Sequence, residues 1–442
     1  MTYISLPHRL WRSITQRALY GFHKIFRGVS SVSTTQTHAP IGESGSVLAV
    51  VAPGQGSQKP GFLIPWLNLP GSEARLRWWS TFSGLDLIHL GTNADADEVQ
   101  DTARTQPLLV AAGLLAAAEL PIYDVSVVAG HSVGELTAAS LAGVLSAESA
   151  LAFAAVRGRE MAAACAAEPT GMRAVIGGDP AEVLTRIQDC GLYPANRNGA
   201  GQTVAAGPLA GLEKLAGNPP AAAKVIPLKV AGAFHTPYMK PAEQALEAIA
   251  AGVPTADPAR IMLSNADGAA AGSGADLLQR LVRQVTTPVR WDLCMASMVD
   301  LGVTGVIELP PAGTLAGLVR RGMKSESGTP EIVTLNTPDD LDAARDLIAR
   351  HGAPSHIVPE STVAFRVVVS SAAGNFEPAE ISEGAAVTEG QLIGRVVSRR
   401  GAEDITAAHD GVLVEWLVHP DDPVASGTPL ARFSQPETGG DR

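Results

Sequence analysis

A glycine-flanked serine at residues 130–134 constrains the fold of this chain more than any other segment. The sequence Gly-His-Ser-Val-Gly follows the apolar run 125–129 and precedes the helix-like stretch 135–139. Glycine on both sides lets the backbone turn sharply from a strand into a helix, which leaves the hydroxyl of Ser132 at the apex. The start of a helix also favours negative charge nearby. The pattern predicts a serine nucleophile on an α/β fold, although similar segments also occur at purely structural turns.

Length and composition define the class of protein. A chain of 442 residues, 46% hydrophobic and 17% charged, is long enough for two or three globular domains. The net charge of -11 argues against nucleic acid as a partner. An acidic protein partner would need a local basic patch, which Arg320, Arg321 and Lys324 could form, unless they are ordinary solvated surface residues.

The cysteines and the hydropathy predict a cytoplasmic protein. The three cysteines, Cys165, Cys190 and Cys294, are odd in number and lack metal-ligand spacing, which suits a reducing compartment and predicts no metal site. No run approaches the roughly 20 apolar residues of a membrane helix. The longest apolar stretch, 108–118, is expected to be a buried helix.

Residues 1–45 differ from the rest of the chain. They contain five Arg or Lys residues, interleaved with aromatic residues, and no acidic residue before Glu43. We expect a basic, disordered tail or an upstream start that the working protein does not need. A segment that contacts a membrane or directs targeting is the alternative.

The middle of the chain alternates between strand and helix patterns. A strand at 47–52 enters the glycine-rich loop 53–58, and helices are expected at 106–119, beginning at Gln106-Pro107, and at 147–164. This alternation predicts a mainly parallel sheet of hydrolase-like α/β type over residues 46–351. Residues of about 170–232 follow the order βαββαβ, which predicts a ferredoxin-like α+β insert.

The C-terminal part is expected to be all-β. After a linker at 352–363, the pattern Val387-x-x-Gly390-x-x-Ile-x-Arg recurs 37 residues later as Val424-x-x-Gly427-x-x-Leu-x-Arg. Two similar hairpin-rich halves predict a small barrel-sandwich domain over residues 364–435.

Two histidines are candidate partners for the serine. His235 follows the last predicted strand of the insert, where the chain rejoins the large domain, and clefts form at such junctions. A lone histidine is more often structural, but beside a nucleophilic serine His235 becomes the candidate base. His131 is adjacent to Ser132, and its side chain should diverge from it and shape the pocket.

An acyl intermediate also needs oxyanion donors and a group that recognises the substrate. The main-chain N–H of Val133 is one candidate donor and the loop at Gln55 the other; losing one such donor typically costs about 3–4 kcal/mol. The loop could instead be only a tight turn. Arg157, in an alanine-rich helix, could be a buried fork that binds a carboxylate, or a surface residue, as we expect for Arg159.

Together these motifs resemble the malonyl-CoA:acyl carrier protein transacylases. The resemblance covers about residues 47–351, and its motifs match in order and spacing: Pro-Gly-Gln55-Gly-Ser-Gln, Gly-His-Ser132-Val-Gly-Glu, Arg157-Gly, Ala-Asn-Arg-Asn198-Gly, Ala-Phe234-His235, and Gln284 ahead of Thr-Pro-Val.

The resemblance implies a role for each matching residue. Ser132 would be the nucleophile, His235 the base, and Gln55 and Val133 the oxyanion donors. Arg157 would bind the malonyl carboxylate, and the main-chain carbonyl of Gln284 would orient the histidine. His131, Phe234 and Asn198 would line the pocket, and Phe234 before the histidine resembles malonyl-selective members.

The implied reaction is ping-pong transfer of malonyl from malonyl-CoA, through a malonyl-serine, to the phosphopantetheine thiol of holo acyl carrier protein. It supplies fatty acid or polyketide synthesis and needs no bound cofactor or metal.

The C-terminal module resembles biotinyl or lipoyl carrier domains without their modifiable lysine. Arg399-Arg400 stands where Met-Lys is expected, and no lysine follows Lys324. Guanidinium is not a nucleophile at neutral pH. The module is therefore predicted to be a docking element, or a stabilising appendage.

The serine turn leaves two alternatives to the transferase. An α/β-hydrolase esterase or thioesterase shares the serine turn but would use an acid such as Asp179 or Asp189 as orienter, and it has no need of Arg157. A catalytically silent scaffold is the second alternative, against which the intact Ser132, His235 and Arg157 argue.

Overall fold

The computed structural model describes residues 46–324, 328–352, 366–398, 401–407 and 410–434. The predictions for the tail 1–45, for linker residues 353–363 and for Arg399-Arg400 lie outside the described residues.

A five-stranded parallel sheet forms the centre of the larger part of the chain. Its strands lie in the order β7-β2-β1-β8-β9, and every pairing is parallel. In chain order the strands of this part are β1 Val47–Ala52, β2 Val127–Gly130, β3 Thr170–Gly177, β4 Tyr193–Gly199, β5 Gln202–Pro208, β6 Ala223–Pro227, β7 Ile261–Leu263, β8 Val303–Glu308 and β9 Glu331–Thr334.

Helices pack on both faces of this sheet. The helices of this part of the chain are α1 Ser72–Ser83, α2 Leu87–Thr92, α3 Ala96–Gln100, α4 Thr102–Ala117, α5 Gly134–Leu141, α6 Ala147–Ala167, α7 Pro180–Asp189, α8 Leu209–Gly217, α9 Lys240–Ala250, α10 Gly274–Arg283, α11 Trp291–Asp300, α12 Thr314–Gly322 and α13 Leu341–His351. Two of them, α7 and α8, belong to the part between β3 and β6. Of the helices in the described ranges, none combines the length and the apolar character needed to cross a bilayer.

Strand β1 separates two hydrophobic cores. Leu48 and Val50 pack into the core that contains α4, α5 and α6, whereas Val47 and Ala49 pack into the core that contains α11 and α12. Successive side chains of a strand point to opposite faces, so a strand buried on both faces has an unbroken apolar sequence. This explains why β1 has the bounds that the sequence predicts.

Helix α4 begins earlier than the sequence predicts. The expected start was Gln106-Pro107, with proline in the first turn, but the helix begins at Thr102 and Pro107 lies inside it. The carboxylate of Asp101 accepts the main-chain N–H of Ala103 at 2.8 Å, and this cap starts the helix at Thr102, four residues before the predicted start. The prediction was wrong because it used the proline and overlooked this cap.

Residues 170–227 form a separate antiparallel sheet. The order along the chain is β3-α7-β4-β5-α8-β6, and the order in the sheet is β4-β5-β3-β6. One face packs on α7 and α8 through Val175, Val183, Ile187 and Leu212. The strand and helix order agrees with the sequence prediction.

The C-terminal residues form two antiparallel four-stranded sheets, in the orders β10-β17-β15-β12 and β14-β13-β11-β16. Their strands are β10 Arg366–Val369, β11 Gly374–Pro378, β12 Ala386–Val387, β13 Leu392–Ser398, β14 Gly401–Thr406, β15 Gly411–Trp416, β16 Pro423–Val424 and β17 Pro429–Ser434. Each half of the sequence repeat is a short strand, a turn and a long strand. Gly390 and Gly427 occupy the turns with φ of 81° and 88°, a conformation that favours glycine.

Candidate active site

The serine turn has the sharp geometry that its glycines predict. Ser132 lies two residues after the end of β2 and has a φ of 53°, an uncommon conformation for a residue with a side chain. A Cβ added at Gly130 would lie 2.1 Å from the carbonyl carbon of Gly134, and one added at Gly134 would lie 2.2 Å from the carbonyl oxygen of Ala52. Both positions therefore exclude any larger residue.

Ser132 and His235 are in hydrogen-bond contact. The Oγ atom of Ser132 lies 2.8 Å from Nε2 of His235, and Nδ1 of His235 lies 2.8 Å from the main-chain carbonyl oxygen of Gln284. A carbonyl oxygen can only accept, so Nδ1 carries the ring proton of the neutral imidazole and Nε2 is left to accept the hydroxyl proton of Ser132. This is the arrangement that a general base requires.

Electrostatics keep the His235 imidazole neutral. The side chain is 4% exposed. Burial first, and then the positive charge of Arg157, lower the pKa of His235 to about 3. The imidazole is therefore in its proton-accepting form throughout the neutral pH range.

Arg157 is buried beside Ser132. It is 1% exposed, and its Nη2 atom donates to Oγ of Ser132 at 3.2 Å and to Oε1 of Gln284 at 2.8 Å. Its Nη1 atom donates to Oε1 of Gln106 at 2.5 Å. Burial lowers the pKa of Arg157 to about 10, which leaves the guanidinium charged at neutral pH. The alternative of a surface arginine is wrong for Arg157, whereas the side chain of Arg159 is 63% exposed.

The glycine-rich loop after β1 packs against the serine turn. A Cβ added at Gly54 would lie 2.8 Å from the carbonyl oxygen of His131 and 3.6 Å from Cβ of Ser132. The next residue, Gln55, accepts a side-chain hydrogen bond from Gln106 at 3.4 Å. Val133 is fully buried and directly precedes α5. Both predicted oxyanion donors thus belong to segments that adjoin Ser132.

The predicted pocket residues have different surroundings. Nε2 of His131 lies 2.9 Å from Oδ1 of Asn198, on β4 of the insert sheet, and its ring stacks edge-on with Trp291 at 5.9 Å. Phe234 is 6% exposed and packs into the larger hydrophobic core.

Three polar residues of the site were missed by the sequence analysis: Gln106, Glu135 and Asn265. Oδ1 of Asn265 accepts the main-chain N–H of Ser132 at 2.8 Å, while its Nδ2 donates to the carbonyl oxygen of Gly130 at 2.7 Å. Asn265 thus hydrogen-bonds to the main chain at Gly130 and at Ser132, which holds the sharp turn in place.

Glu135 completes this network from the first turn of α5. One carboxylate oxygen accepts the main-chain N–H of Asn265 at 2.9 Å, and the other accepts from Nε2 of Gln284. Burial raises the pKa of Glu135 to about 7. The only signal in the sequence was the position of Glu135 within the Gly-His-Ser-Val-Gly-Glu motif, to which no role had been given.

The acids considered for a hydrolase triad have other surroundings. Asp179 caps α7 by accepting the main-chain N–H groups of Ala181 and Glu182, each at 3.0 Å. Asp189 ends the same helix. The partner of His235 at Nδ1 is the carbonyl oxygen of Gln284 instead, so the geometry gives neither acid an orienting role.

The predicted basic residues and the cysteines differ in their exposure. Arg320, Arg321 and Lys324 are exposed at the end of α12. All three cysteines are buried and free. Within the described part of the chain, no group of three or more His, Cys, Asp or Glu side chains is placed to hold a metal ion.

Comparisons with known proteins agree with this geometry. A family model described as an acyl transferase domain matches residues 50–352. The malonyl CoA-acyl carrier protein transacylase of Mycobacterium tuberculosis H37Rv is 52% identical over 306 residues, which cover 68% of this chain and all of that protein. The transacylase of Mycolicibacterium smegmatis is 54% identical over 293 residues, covering 64% of this chain and all of that protein.

Solved structures resemble the same part of the chain. The crystal structure of MCAT from Mycobacterium tuberculosis matches with a TM-score of 0.65 and 52% identity, covering 68% of this chain and 99% of that one. A type II PKS malonyl-transacylase, solved in complex with its acyl-carrier protein, matches with a TM-score of 0.62 and 29% identity over 68% and 99% of the two chains.

Proposed function

Because the chain belongs to the malonyl-CoA:acyl carrier protein transacylase family of acyl transferases, we propose that it transfers malonyl from malonyl-CoA to the phosphopantetheine thiol of holo acyl carrier protein. The observation that carries this proposal is the buried guanidinium of Arg157 in contact with Oγ of Ser132. A nucleophile beside a buried cation suits an acyl group that carries its own carboxylate.

In the first half-reaction His235 takes the hydroxyl proton of Ser132 through Nε2, and Oγ attacks the thioester carbonyl. The main-chain N–H groups of Gln55 and Val133 stabilise the oxyanion. The carbon–sulfur bond breaks, the CoA thiolate takes the proton from His235, and a malonyl-serine ester remains.

Arg157 selects the substrate. The malonyl carboxylate is one methylene away from the attacked carbonyl, and Nη2 of Arg157 lies 3.2 Å from the attacking oxygen. The guanidinium is therefore within reach of that carboxylate and can bind it through charge-assisted hydrogen bonds. His131, Phe234 and Asn198 form the adjoining walls of the pocket.

In the second half-reaction the carrier's thiol gives its proton to His235 and attacks the malonyl-serine ester. The ester C–O bond breaks, and Oγ of Ser132 takes the proton from His235, which restores the hydroxyl. The partner is a holo acyl carrier protein of fatty acid or polyketide synthesis. A relative's complex with its acyl-carrier protein supports this partner. Neither half-reaction needs a bound cofactor or a metal.

The partition of the acyl-enzyme tests this function. Purified protein is mixed with malonyl-CoA and holo acyl carrier protein, and malonyl-carrier and free malonate are both measured. We expect nearly all turnover to end on the carrier and to require it. Release of malonate at the same rate with and without carrier would instead indicate a hydrolase.

We also propose the finer architecture. Residues 46–351 form the acyl transferase, a hydrolase-like domain with a ferredoxin-like insert at about 170–232, supported by the sheet order β4-β5-β3-β6. Residues 364–435 form a barrel-sandwich module of biotinyl/lipoyl type, supported by the two-sheet arrangement and the repeat. The buried, free cysteines support a cytoplasmic location.

The C-terminal module is proposed as a docking element. A chain truncated after residue 352 retains the part that matches the relatives over their whole length. We expect it to form malonyl-serine at the full rate but to transfer malonyl to the carrier more slowly. If only the melting temperature fell, the module would be a stabilising appendage.

A further inference from the structure

We propose that Glu135 is the buried counter-anion of Arg157 and that malonyl recognition is coupled to the uptake of one proton by this carboxylate. The inference rests on the proposed role of Arg157 in binding the malonyl carboxylate. It adds a residue that sets specificity without touching the substrate.

The contacts connect Glu135 to Arg157 through a single amide. Glu135 is 1% exposed, and one of its carboxylate oxygens accepts from Nε2 of Gln284. Oε1 of the same amide accepts from Nη2 of Arg157 at 2.8 Å. The amide of Gln284 is thereby held in one orientation, with its donor towards the anion and its acceptor towards the cation. Glu135 is in this sense a positioning residue.

Among the described groups around Glu135, Arg157 carries the one opposite charge. Arg157 is supplied by α6, and the other neighbours are the neutral Ser264, Asn265 and Gln284. Burial lowers the pKa of His235 and raises that of the thiol of Cys294 on α11, so both of these groups are uncharged. Burial raises the pKa of Glu135 itself to about 7, against the opposing effect of its hydrogen bonds and of Arg157. The carboxyl therefore titrates in the working pH range.

Binding of malonyl changes the charge balance of this network. The substrate carboxylate adds a second anion to a buried site with one cation, and like charges at short range in a buried site disfavour double ionisation. Glu135 should therefore bind a proton from solvent when malonyl binds. An acetyl thioester has no carboxylate, so its binding should leave the protonation of Glu135 unchanged.

The test compares malonyl-CoA with acetyl-CoA between pH 6 and 8.5. The ratio of their kcat/KM values removes every pH effect that the two thioesters share, including those of His235 and of the CoA phosphates. If malonyl raises the pKa of Glu135 by one unit, this ratio falls about sevenfold over the range. In Glu135→Gln, which has no titrating group here, the ratio should be independent of pH.

The variant also reports on positioning. The amide of Glu135→Gln has one acceptor where the carboxylate has two, so absolute rates should fall for both thioesters, and Glu135→Asp should restore the slope of the ratio with pH. A flat ratio in the unmodified enzyme would overturn the proposal. An unchanged slope in Glu135→Gln would overturn it equally.

A binding measurement does not depend on the folding of the Glu135 variants. Calorimetry of Ser132→Ala with malonyl-CoA at pH 7, in two buffers of different ionisation enthalpy, should show net proton uptake that acetyl-CoA does not produce. Equal heats after correction for the buffer would contradict the coupling. Failure of the proposed function is distinguishable, because Arg157→Ala would then leave the malonyl-to-acetyl ratio unchanged at every pH.

Discussion

The Nη2 atom of Arg157 lies 3.2 Å from Oγ of Ser132, so the guanidinium and the serine hydroxyl are in direct contact. The cation favours negative charge on that oxygen and at the same time attracts an anionic acyl group to it. One side chain can thus contribute to nucleophile activation and to substrate choice, and the two contributions can be separated with different thioesters.

Replacing Arg157 with alanine should remove the preference for malonyl. Loss of charge-assisted hydrogen bonds to a carboxylate predicts a fall in kcat/KM for malonyl-CoA of about a hundredfold or more, with a much smaller fall for acetyl-CoA. Steady-state assays with both thioesters measure this difference. The exposed neighbour Arg159 provides the matched control, and Arg159→Ala should leave both values within about twofold.

The rate of acylation should persist into the acid range. The pKa of His235 is lowered by burial and by Arg157 to about 3, so the base stays neutral as the pH falls from 8 to 5. A histidine with an ordinary pKa near 6.5 would lose about thirtyfold in rate at pH 5. Acylation of Glu135→Gln by acetyl-pantetheine, which has no phosphate to titrate, gives the profile without the titration of Glu135. A midpoint near pH 6.5 would show that His235 is not held neutral.

The serine turn should not tolerate a methyl group at Gly134. An added Cβ would lie 2.2 Å from the carbonyl oxygen of Ala52, which is backbone and cannot swing away. We expect Gly134→Ala to lose about 2 kcal/mol or more of unfolding free energy, together with most acylation activity. Gly217→Ala is the control, because its Cβ would meet nothing within 4 Å and should change the melting temperature little. Thermal unfolding of both variants measures this difference in stability.

The basic residues at the end of α12 should matter to the carrier and not to acylation. The double substitution Arg320→Glu, Arg321→Glu should raise the KM for acyl carrier protein about tenfold at low salt. The KM of this variant should also depend less on the salt concentration. Formation of malonyl-serine should be unchanged. Arg77→Glu, at a 69% exposed side chain on α1, controls for a change of surface charge. Equal effects at the two places would show that the patch has no specific role.

Sequence patterns predicted the buried strands most accurately. Strand β1 has its predicted bounds because both of its faces are buried and its apolar run is unbroken. The repeat around Gly390 and Gly427 likewise predicted two equivalent strand–turn–strand units. No prediction covered helices α1 to α3 and α9 to α12.

The polar network of the site could not be read from one sequence. Asn265 lies 133 residues from Ser132, and Gln284 lies 149 residues from Glu135, so tertiary folding alone brings these pairs together. The residues with a stated role had been found through motifs, in which neighbours along the chain carry the signal. A residue such as Asn265, which only supports the others, has no motif around it along the chain.

The most direct test of the account is the intact mass of the protein after malonyl-CoA is added, and again after holo acyl carrier protein is added. We predict an increase of one malonyl group, located on Ser132 by peptide mapping and absent in Ser132→Ala, followed by its loss from the enzyme and its appearance on the carrier. The absence of any adduct, or an adduct that decays to malonate at the same rate without the carrier, would contradict the account.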